Sequence, residues 1–265
     1  MAQQHSTEPL AKRDQAKRDQ AERDQAKPDK AERGQAKPGQ AKLDRIKPDR
    51  AETRLHRTTR HARRAQQDHQ KDDTPMRIIA GRHRGTKLAL PAGARTRPTA
   101  DRTRESLFNI LAGGRFGEVV DGAIIIDAFA GTGALGLEAL SRGCAFASFI
   151  ERDQQALAAL RQNISRLDRA DDSRVIAGDA LTLARWHGDP ATLLLADAPY
   201  GSGDGLAATQ QLMRIGALGD DALIIIETGN DETMDADTLA AAGLELLVAR
   251  RYGRALVHFL GRTSG

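Results

Sequence analysis

The sequence of 265 residues is rich in charge (29% Asp, Glu, Lys and Arg) and poor in aromatic side chains (3%), so part of it is too polar to build a core. Residues 1–75 carry 19 basic and 13 acidic side chains, a net charge of +6, whereas the remainder is net negative. The single cysteine excludes an internal disulfide and a cysteine metal cluster, and we expect no bound metal. No apolar run approaches the ~18 residues of a membrane span, and the first residues lack the apolar centre of a signal peptide, so we expect a cytoplasmic protein.

Residues 1–75 have the composition of a disordered tail. From Ala11 they repeat a five-residue unit, AKRDQ and its variants, and between Ala11 and Lys42 they contain no Leu, Ile, Val, Phe, Trp or Tyr. Such a segment cannot bury enough apolar surface to offset the entropy that it would lose on ordering. We therefore predict a disordered, basic extension that attracts RNA weakly, with a specific partner-binding arm as the alternative.

Residues 76–112 are predicted to form a hairpin and a helix that contact RNA. Apolar runs on either side of Gly81 and Gly85 indicate the hairpin, and residues 99–112 are predicted to form a helix with Thr99 or Asp101 near its N-cap. The stretch 76–104 holds eight basic residues and one acid, as expected of a surface that meets a polyanion; a solvated basic loop is the alternative. The basic side chains expected to contact phosphates are Arg77, Arg82, Arg84, Lys87, Arg95, Arg97, Arg102 and Arg104.

Residues 113–265 alternate apolar strands with helices. Strands that are apolar throughout and are separated by helices indicate a mostly parallel sheet with helices on both faces. The predicted fold class is therefore α/β and Rossmann-like, with a closing antiparallel hairpin, and Cys144 is expected to pack in its core. The predicted strands are 123–131, 146–153, 173–181, 191–201 and 221–229, the helices are 134–143, 154–167 and 206–218, and the hairpin is 244–262.

Four acids, Asp127, Glu151, Asp179 and Asp197, end or closely follow consecutive predicted strands. Ligands of open α/β sheets bind at the carboxyl ends of the strands, so these acids are expected to line one site. A site with four acids binds a phosphate poorly. It favours a ligand that carries positive charge and hydrogen-bond donors.

The stretch DAFAGTGALG, residues 127–136, has the G-x-G-x-x-G spacing of a dinucleotide-binding loop, and a nicotinamide enzyme is the alternative that this motif raises. Asp127 argues against it, since an acid four residues before Gly131 repels a pyrophosphate. It suits the ammonium and sulfonium groups of S-adenosylmethionine. Glu151 is then expected to bind the ribose hydroxyls, unless it is a helix-capping or surface acid. Asp179 and the N–H of Ala180 are expected to bind the adenine edge, and Asp179 is equally suited to cap a helix.

Four segments together resemble a known family. MRIIAGRHRGTKLALP, TRPTADRTRESLFNIL, DAFAGTGALGLEALSRG and DAPY follow one another in the order and spacing of the RsmD family of 16S ribosomal RNA guanine-N2 methyltransferases. The resemblance covers about residues 76–262 and not the tail. It implies a class I methyltransferase fold and S-adenosylmethionine as cofactor. The cofactor-binding residues that it implies are Thr99, Asp127, Ala128, Phe129, Gly131, Gly133, Glu151, Arg152, Asp179 and Ala180.

The DAPY segment carries the chemistry that the resemblance implies. Two acceptors, the Asp197 carboxylate and the carbonyl of Ala198, would hold the N–H groups of an exocyclic amine, and Tyr200 would stack on the extruded base. The family has proline where this chain has Ala198, which keeps the carbonyl while Pro199 still favours an extended backbone. We expect direct transfer without a covalent intermediate. Glu227, Trp186 and His187 are assigned no role.

The substrate implied by the resemblance is one guanine of 16S rRNA, either naked or in an assembling small subunit, and we expect a monomer. Adenine N6 in DNA, or an amine of another RNA, fits the same loop and is the alternative. A non-catalytic RNA-binding protein with the same fold is the third hypothesis.

Overall fold

The computed structural model describes residues 75–93, 98–232 and 234–263, and for residues 98–100 the backbone only. The predicted tail, except for Pro75, and Arg95 and Arg97 lie outside the described residues. Within them, no helix is long and apolar enough to span a bilayer. Nor does any group of three His, Cys, Asp or Glu side chains in this part of the chain have an arrangement that could hold a metal ion.

A seven-stranded sheet forms the centre of the fold, in the order β3-β2-β1-β4-β5-β7-β6. The first five strands are parallel, whereas β7 runs antiparallel to β5 and β6 antiparallel to β7. The predicted α/β class and its closing hairpin are therefore confirmed. The strands are β1 (Ile124–Ala128), β2 (Phe146–Glu151), β3 (Ser173–Ala177), β4 (Ala191–Asp197), β5 (Leu218–Gly229), β6 (Leu244–Tyr252) and β7 (Ala255–Arg262).

Helices cover both faces of the sheet, which is why its central strands are apolar throughout. One buried cluster combines α1, α2 and α3 with alternate strand residues such as Ile125 and Leu193, and the other combines α4 and α5 with Ile126 and Leu194. Cys144 is buried in the first cluster, as predicted. The helices of the described residues are α1 (Pro98–Ala112), α2 (Ala134–Ser141), α3 (Gln154–Arg166), α4 (Asp204–Arg214) and α5 (Ala236–Ala241).

The strand order reverses between β1 and β4, and this reversal determines where a ligand can bind. The helix after β1 lies on one face of the sheet and the helix after β4 on the other, so a crevice opens between their first turns at the carboxyl ends of the strands. Phe129 follows β1 and Ala198 follows β4 at this crevice. The topology therefore predicts the site before any side chain is considered.

The N-terminal hairpin, residues 76–90, is fastened to the core by its backbone. It contains one isolated antiparallel bridge, Arg77 with Lys87, rather than two regular strands. The fully buried carboxylate of Glu138 on α2 accepts the N–H of Ile79 at 2.7 Å and that of Ala80 at 3.0 Å. Because α2 approaches so closely, a Cβ atom at position 81 would lie 1.8 Å from a carbonyl oxygen of that helix. Glycine is therefore required at Gly81.

Candidate active site

A cavity of about 1240 Å³ opens at the crevice between β1 and β4. Among the described residues, its walls contain the acids Glu151, Asp179, Asp197, Glu227 and Asp231 and two basic side chains, Arg152 and Arg254. The predicted concentration of acids at the strand ends is therefore found in the structure. The other predicted site residues on its surface are Phe129, Ala180, Ala198, Pro199 and Tyr200.

Asp127 does not line this cavity. Its carboxylate is 1% exposed and accepts the N–H of Gly136, in the first turn of α2, at 2.8 Å. This placement differs from the expected contact with a cationic ligand, because the side chain points under the glycine loop and holds it against the helix. Burial raises the pKa of Asp127 well above its ordinary range. Its role in the described structure is to fix the loop.

The loop after β1 has an unusual backbone that brings it close to the cavity. Phe129 adopts φ +62°, which is rare for a bulky side chain, and Gly131 and Gly133 also have positive φ. A Cβ atom at Gly133 would lie 2.4 Å from a methyl carbon of Leu160. Phe129 lines the cavity, whereas Ala128, Gly131 and Gly133 do not.

The Glu151 carboxylate organises the second side of the cavity. One oxygen accepts the N–H of Gly131 at 2.7 Å, and the other accepts the N–H groups of Arg152 and Asp153, each at 2.7 Å. These bonds hold the carboxylate rigid and half-buried while it still lines the cavity. The oxygen that accepts from Gly131 keeps a lone pair for a hydroxyl donor, whereas the other oxygen already accepts two N–H groups.

Asp179 lies next to Glu151 and is held from two directions. It accepts the N–H of Leu181 at 3.0 Å and the Arg152 guanidinium at 2.7 Å, and these contacts, the backbone N–H first, lower its pKa. The residues after it form a turn rather than the helix considered from the sequence, so Asp179 caps a turn. Ala180 is buried beside it and lines the cavity.

The DAPY segment, residues 197–200, leaves β4 directly into the cavity. Asp197 presents an exposed surface to the cavity but is surrounded by protein on its other sides. Ala198 is buried, and Tyr200 is 48% exposed, which is rare for a large side chain of this protein. The Tyr200 hydroxyl donates to the Glu227 carboxylate at 2.5 Å. An aromatic ring is therefore held at the cavity surface by its hydroxyl.

Glu227 is the site residue that the sequence left without a role. It is paired in register with Asp197, the last residue of β4, in the parallel β4–β5 pair, and β5 continues two residues beyond it to Gly229. Burial, and secondarily the neighbouring Glu227 carboxylate, raise the pKa of Asp197 to about 7. Burial also raises the pKa of Glu227, while the Tyr200 hydrogen bond opposes that shift. The two carboxyl groups form one interacting pair, and its signal in the sequence was an acid at or near the end of each of two strands.

The predicted phosphate-contacting residues do not all face solvent. Arg104 is 4% exposed, donates to the Arg77 carbonyl at 2.7 Å and to Asp101 at 3.0 Å, and lies 4.0 Å from Glu138. It is an internal ion-pairing residue, so its predicted contact with RNA is wrong. The exposed members of the set are Arg77, Arg82, Arg84, Lys87 and Arg102; the side chain of Thr99 is not described.

Two solved structures similar to this one are named as a putative methyltransferase and a putative methylase. The putative methyltransferase yhhF from Escherichia coli is 36% identical with a TM-score of 0.61, over 71% of this chain and 98% of that one. The putative methylase HI0767 from Haemophilus influenzae is 27% identical with a TM-score of 0.57, over 72% of this chain and 100% of that one. The sheet order and the site at its reversal point thus define a class I methyltransferase fold.

The family follows from the sequence comparisons. The family model described as conserved hypothetical protein 95 matches residues 76–261. The Ribosomal RNA small subunit methyltransferase D of Escherichia coli is 40% identical over 153 residues, 58% of this chain and 74% of that protein. The Putative rRNA methyltransferase YlbH of Bacillus subtilis is 40% identical over 105 residues, 40% of this chain and 54% of that protein. The chain belongs to the RsmD family.

Proposed function

We propose that the protein methylates the exocyclic N2 amine of one guanine in small-subunit ribosomal RNA, with S-adenosylmethionine as the methyl donor. The observation that carries this proposal is the loop from Asp197 to Tyr200, which lines one cavity with Glu151 and Asp179 and holds an exposed aromatic ring there. The relatives named above are rRNA methyltransferases, and their names support RNA as the substrate. Such a substrate places the reaction in the cytoplasm.

The donor set of the cavity fits S-adenosylmethionine. Glu151, fixed by three backbone N–H groups, suits the ribose hydroxyls, and Asp179 with the adjoining Ala180 suits the amine-bearing edge of adenine. The excess of carboxylates over guanidinium groups favours a ligand with positive charge. The cavity volume of about 1240 Å³ exceeds that of most single-ligand pockets, so a base can enter beside the cofactor. A dinucleotide, with its pyrophosphate, fits this acidic wall poorly.

When bound, S-adenosylmethionine supplies an electrophilic methyl group. The amine of guanine is a weak nucleophile because its lone pair is delocalised into the ring. The Asp197 carboxylate and the Ala198 carbonyl accept its two N–H groups and so orient the lone pair. As the nitrogen gains positive charge, Asp197 takes one proton, and its raised pKa makes it a stronger base than an ordinary aspartate.

Tyr200 has a positioning role in this mechanism. Its ring stacks on the extruded base, a contact worth about 1–3 kcal/mol per base. The hydrogen bond from its hydroxyl to Glu227 restricts the ring to one orientation before the base arrives.

The decisive experiment uses 16S rRNA and assembled small subunits incubated with the protein and labelled S-adenosylmethionine, followed by mass mapping of RNA fragments. One methyl group on a guanine N2 supports the proposal, and Asp197→Asn is expected to abolish transfer while cofactor affinity stays near that of the wild type. Label on a DNA adenine or another RNA instead would retain the chemistry and change the substrate. Cofactor binding without any transfer would indicate a non-catalytic RNA-binding protein.

A further inference from the structure

A second cavity, of about 500 Å³, lies between the N-terminal hairpin and α1. It has no lining residue in common with the catalytic cavity, and its volume lies within the range of small-ligand pockets. The proposed methyl transfer does not use it. Its lining nevertheless combines cationic, acidic and apolar side chains, a set that can distinguish one small ligand from another.

Three arginines give this second cavity its cationic side. Arg77 and Arg84 come from the hairpin and Arg102 from α1, and all three are exposed. Guanidinium groups bind phosphate oxygens through paired N–H donors, and their convergence from two elements fits a single phosphate group. The neighbouring Arg82 is exposed on the same turn but does not line the cavity.

The remaining surface of the second cavity does not suit a bare phosphate. Asp101 and Glu105 line it too, and their carboxylates repel an anion but accept hydrogen bonds from amines. The half-buried Ile79 adds apolar surface, whereas Ile78 is buried. Asp101 already accepts from Arg104 at 3.0 Å, whereas Glu105 is exposed and is the better placed acceptor for an incoming group. A nucleotide whose base carries an exocyclic amine offers all three complementary parts.

The position of the second cavity relates it to the catalytic one. Thr103 of α1 lines the catalytic cavity, while Arg102 and Glu105 of the same helix line the second. Both cavities thus border α1, and a helix with its side chains is ~10–12 Å across. A single strand that crosses α1 can place one nucleotide on each side of it.

We propose that the second cavity binds a nucleotide close to the target guanine in the same RNA strand, with the arginines on its phosphate and Glu105 on the amine edge of its base. This inference rests on the proposed function, and it makes the second cavity a determinant of which guanine is selected. It predicts a preference for cytosine, adenine or guanine over uracil at that nucleotide, since uracil has no exocyclic amine.

The test uses the full chain and two matched probes, cytidine and uridine 5′-monophosphate, which differ in the amine edge of the base. Binding is followed by amide chemical shifts at 150 mM salt. We expect shifts at Arg84, Gly85 and Glu105, tighter binding of the cytidine nucleotide by roughly fivefold, and loss of that preference in Glu105→Gln. Arg84→Ala is expected to weaken both probes by roughly tenfold, and Arg82→Ala by less than about twofold.

Equal losses in Arg82→Ala and Arg84→Ala would overturn the proposal, because they would mean general electrostatic attraction rather than a cavity. Equal binding of the two probes, or shifts confined to the catalytic cavity, would also overturn it. The proposed function fails separately: nucleotide binding in the second cavity without methyl transfer to small-subunit rRNA would refute that function alone. Methyl transfer without nucleotide binding would refute only the proposed nucleotide site in the second cavity.

Discussion

The interaction between Asp197 and Glu227 leads to a prediction about the pH dependence of methyl transfer. Asp197 must be ionised to accept the amine, so the rate is expected to rise as pH rises through about 7 and to reach a plateau above it. Glu227→Gln removes the neighbouring negative charge but keeps an oxygen that accepts the Tyr200 hydroxyl. The pKa of Asp197 should therefore fall, and the acidic limb of the profile should move to lower pH.

The size of this shift follows from the order of the two causes. Burial raises the pKa of Asp197 more than Glu227 does, so removal of the Glu227 charge reverses the smaller part of the displacement from the ordinary value of 3.8. We expect the limb to move by roughly one pH unit, which corresponds to about 1.4 kcal/mol of differential interaction. The plateau rate should fall by less than about tenfold, because Asp197 becomes a weaker base but remains in place.

The assay measures kcat/KM for transfer from labelled S-adenosylmethionine to small-subunit RNA between about pH 5.5 and 8.5 at constant ionic strength. Asp231→Asn is the matched control: it removes one carboxylate from the same cavity, but Asp231 is not among the charges that shift the pKa of Asp197. The acidic limb of the pH profile of Asp231→Asn should stay near pH 7. If the limb in Glu227→Gln did not move, or moved to higher pH, the assignment of Asp197 as proton acceptor within this pair would be wrong.

Three further predictions concern the hairpin and the tail. Gly81→Ala is expected to lower the free energy of unfolding by about 3 kcal/mol or more, whereas Gly85→Ala, also at positive φ but with open space around it, should cost about 1 kcal/mol in the same urea titration. Glu138→Gln should cost about 3 kcal/mol, since it leaves buried donors without their carboxylate, and an unchanged midpoint would contradict the role given to it. Deletion of residues 1–75 should leave transfer intact and weaken RNA binding at low salt, as measured by a salt titration of affinity.

The fold and the location of the site could be predicted because both depend on local patterns. Strands that are apolar on both faces and helices between them require a covered parallel sheet, and acids at successive strand ends then meet at one edge. The register between β4 and β5, which places Glu227 beside Asp197, depends on long-range pairing that no local pattern records. For that reason the sequence indicated an acid at position 227 without a role.

The predicted RNA contact of Arg104 and the predicted ligand contact of Asp127 differ from the structure for different reasons. Arg104 lies three and four residues before Leu107 and Phe108, on the buried face of α1, so helical periodicity already contained the signal against an RNA contact. The prediction relied on the net charge of residues 76–104 and did not use this periodicity. The direction of the Asp127 side chain had no such signal, because it depends on the turn at Phe129 and on the close approach of α2.

The attachment of the hairpin by Glu138 has a consequence for how this protein can diverge. The carboxylate binds main-chain N–H groups, so the identity of the side chains at Ile79 and Ala80 is not what holds the hairpin in place. Exposed positions nearby, such as Arg82 and Arg84, can be exchanged without altering the anchor. Under the proposed function, substrate preference can therefore evolve on this surface by single substitutions, while the attachment of the hairpin to α2 is inherited unchanged.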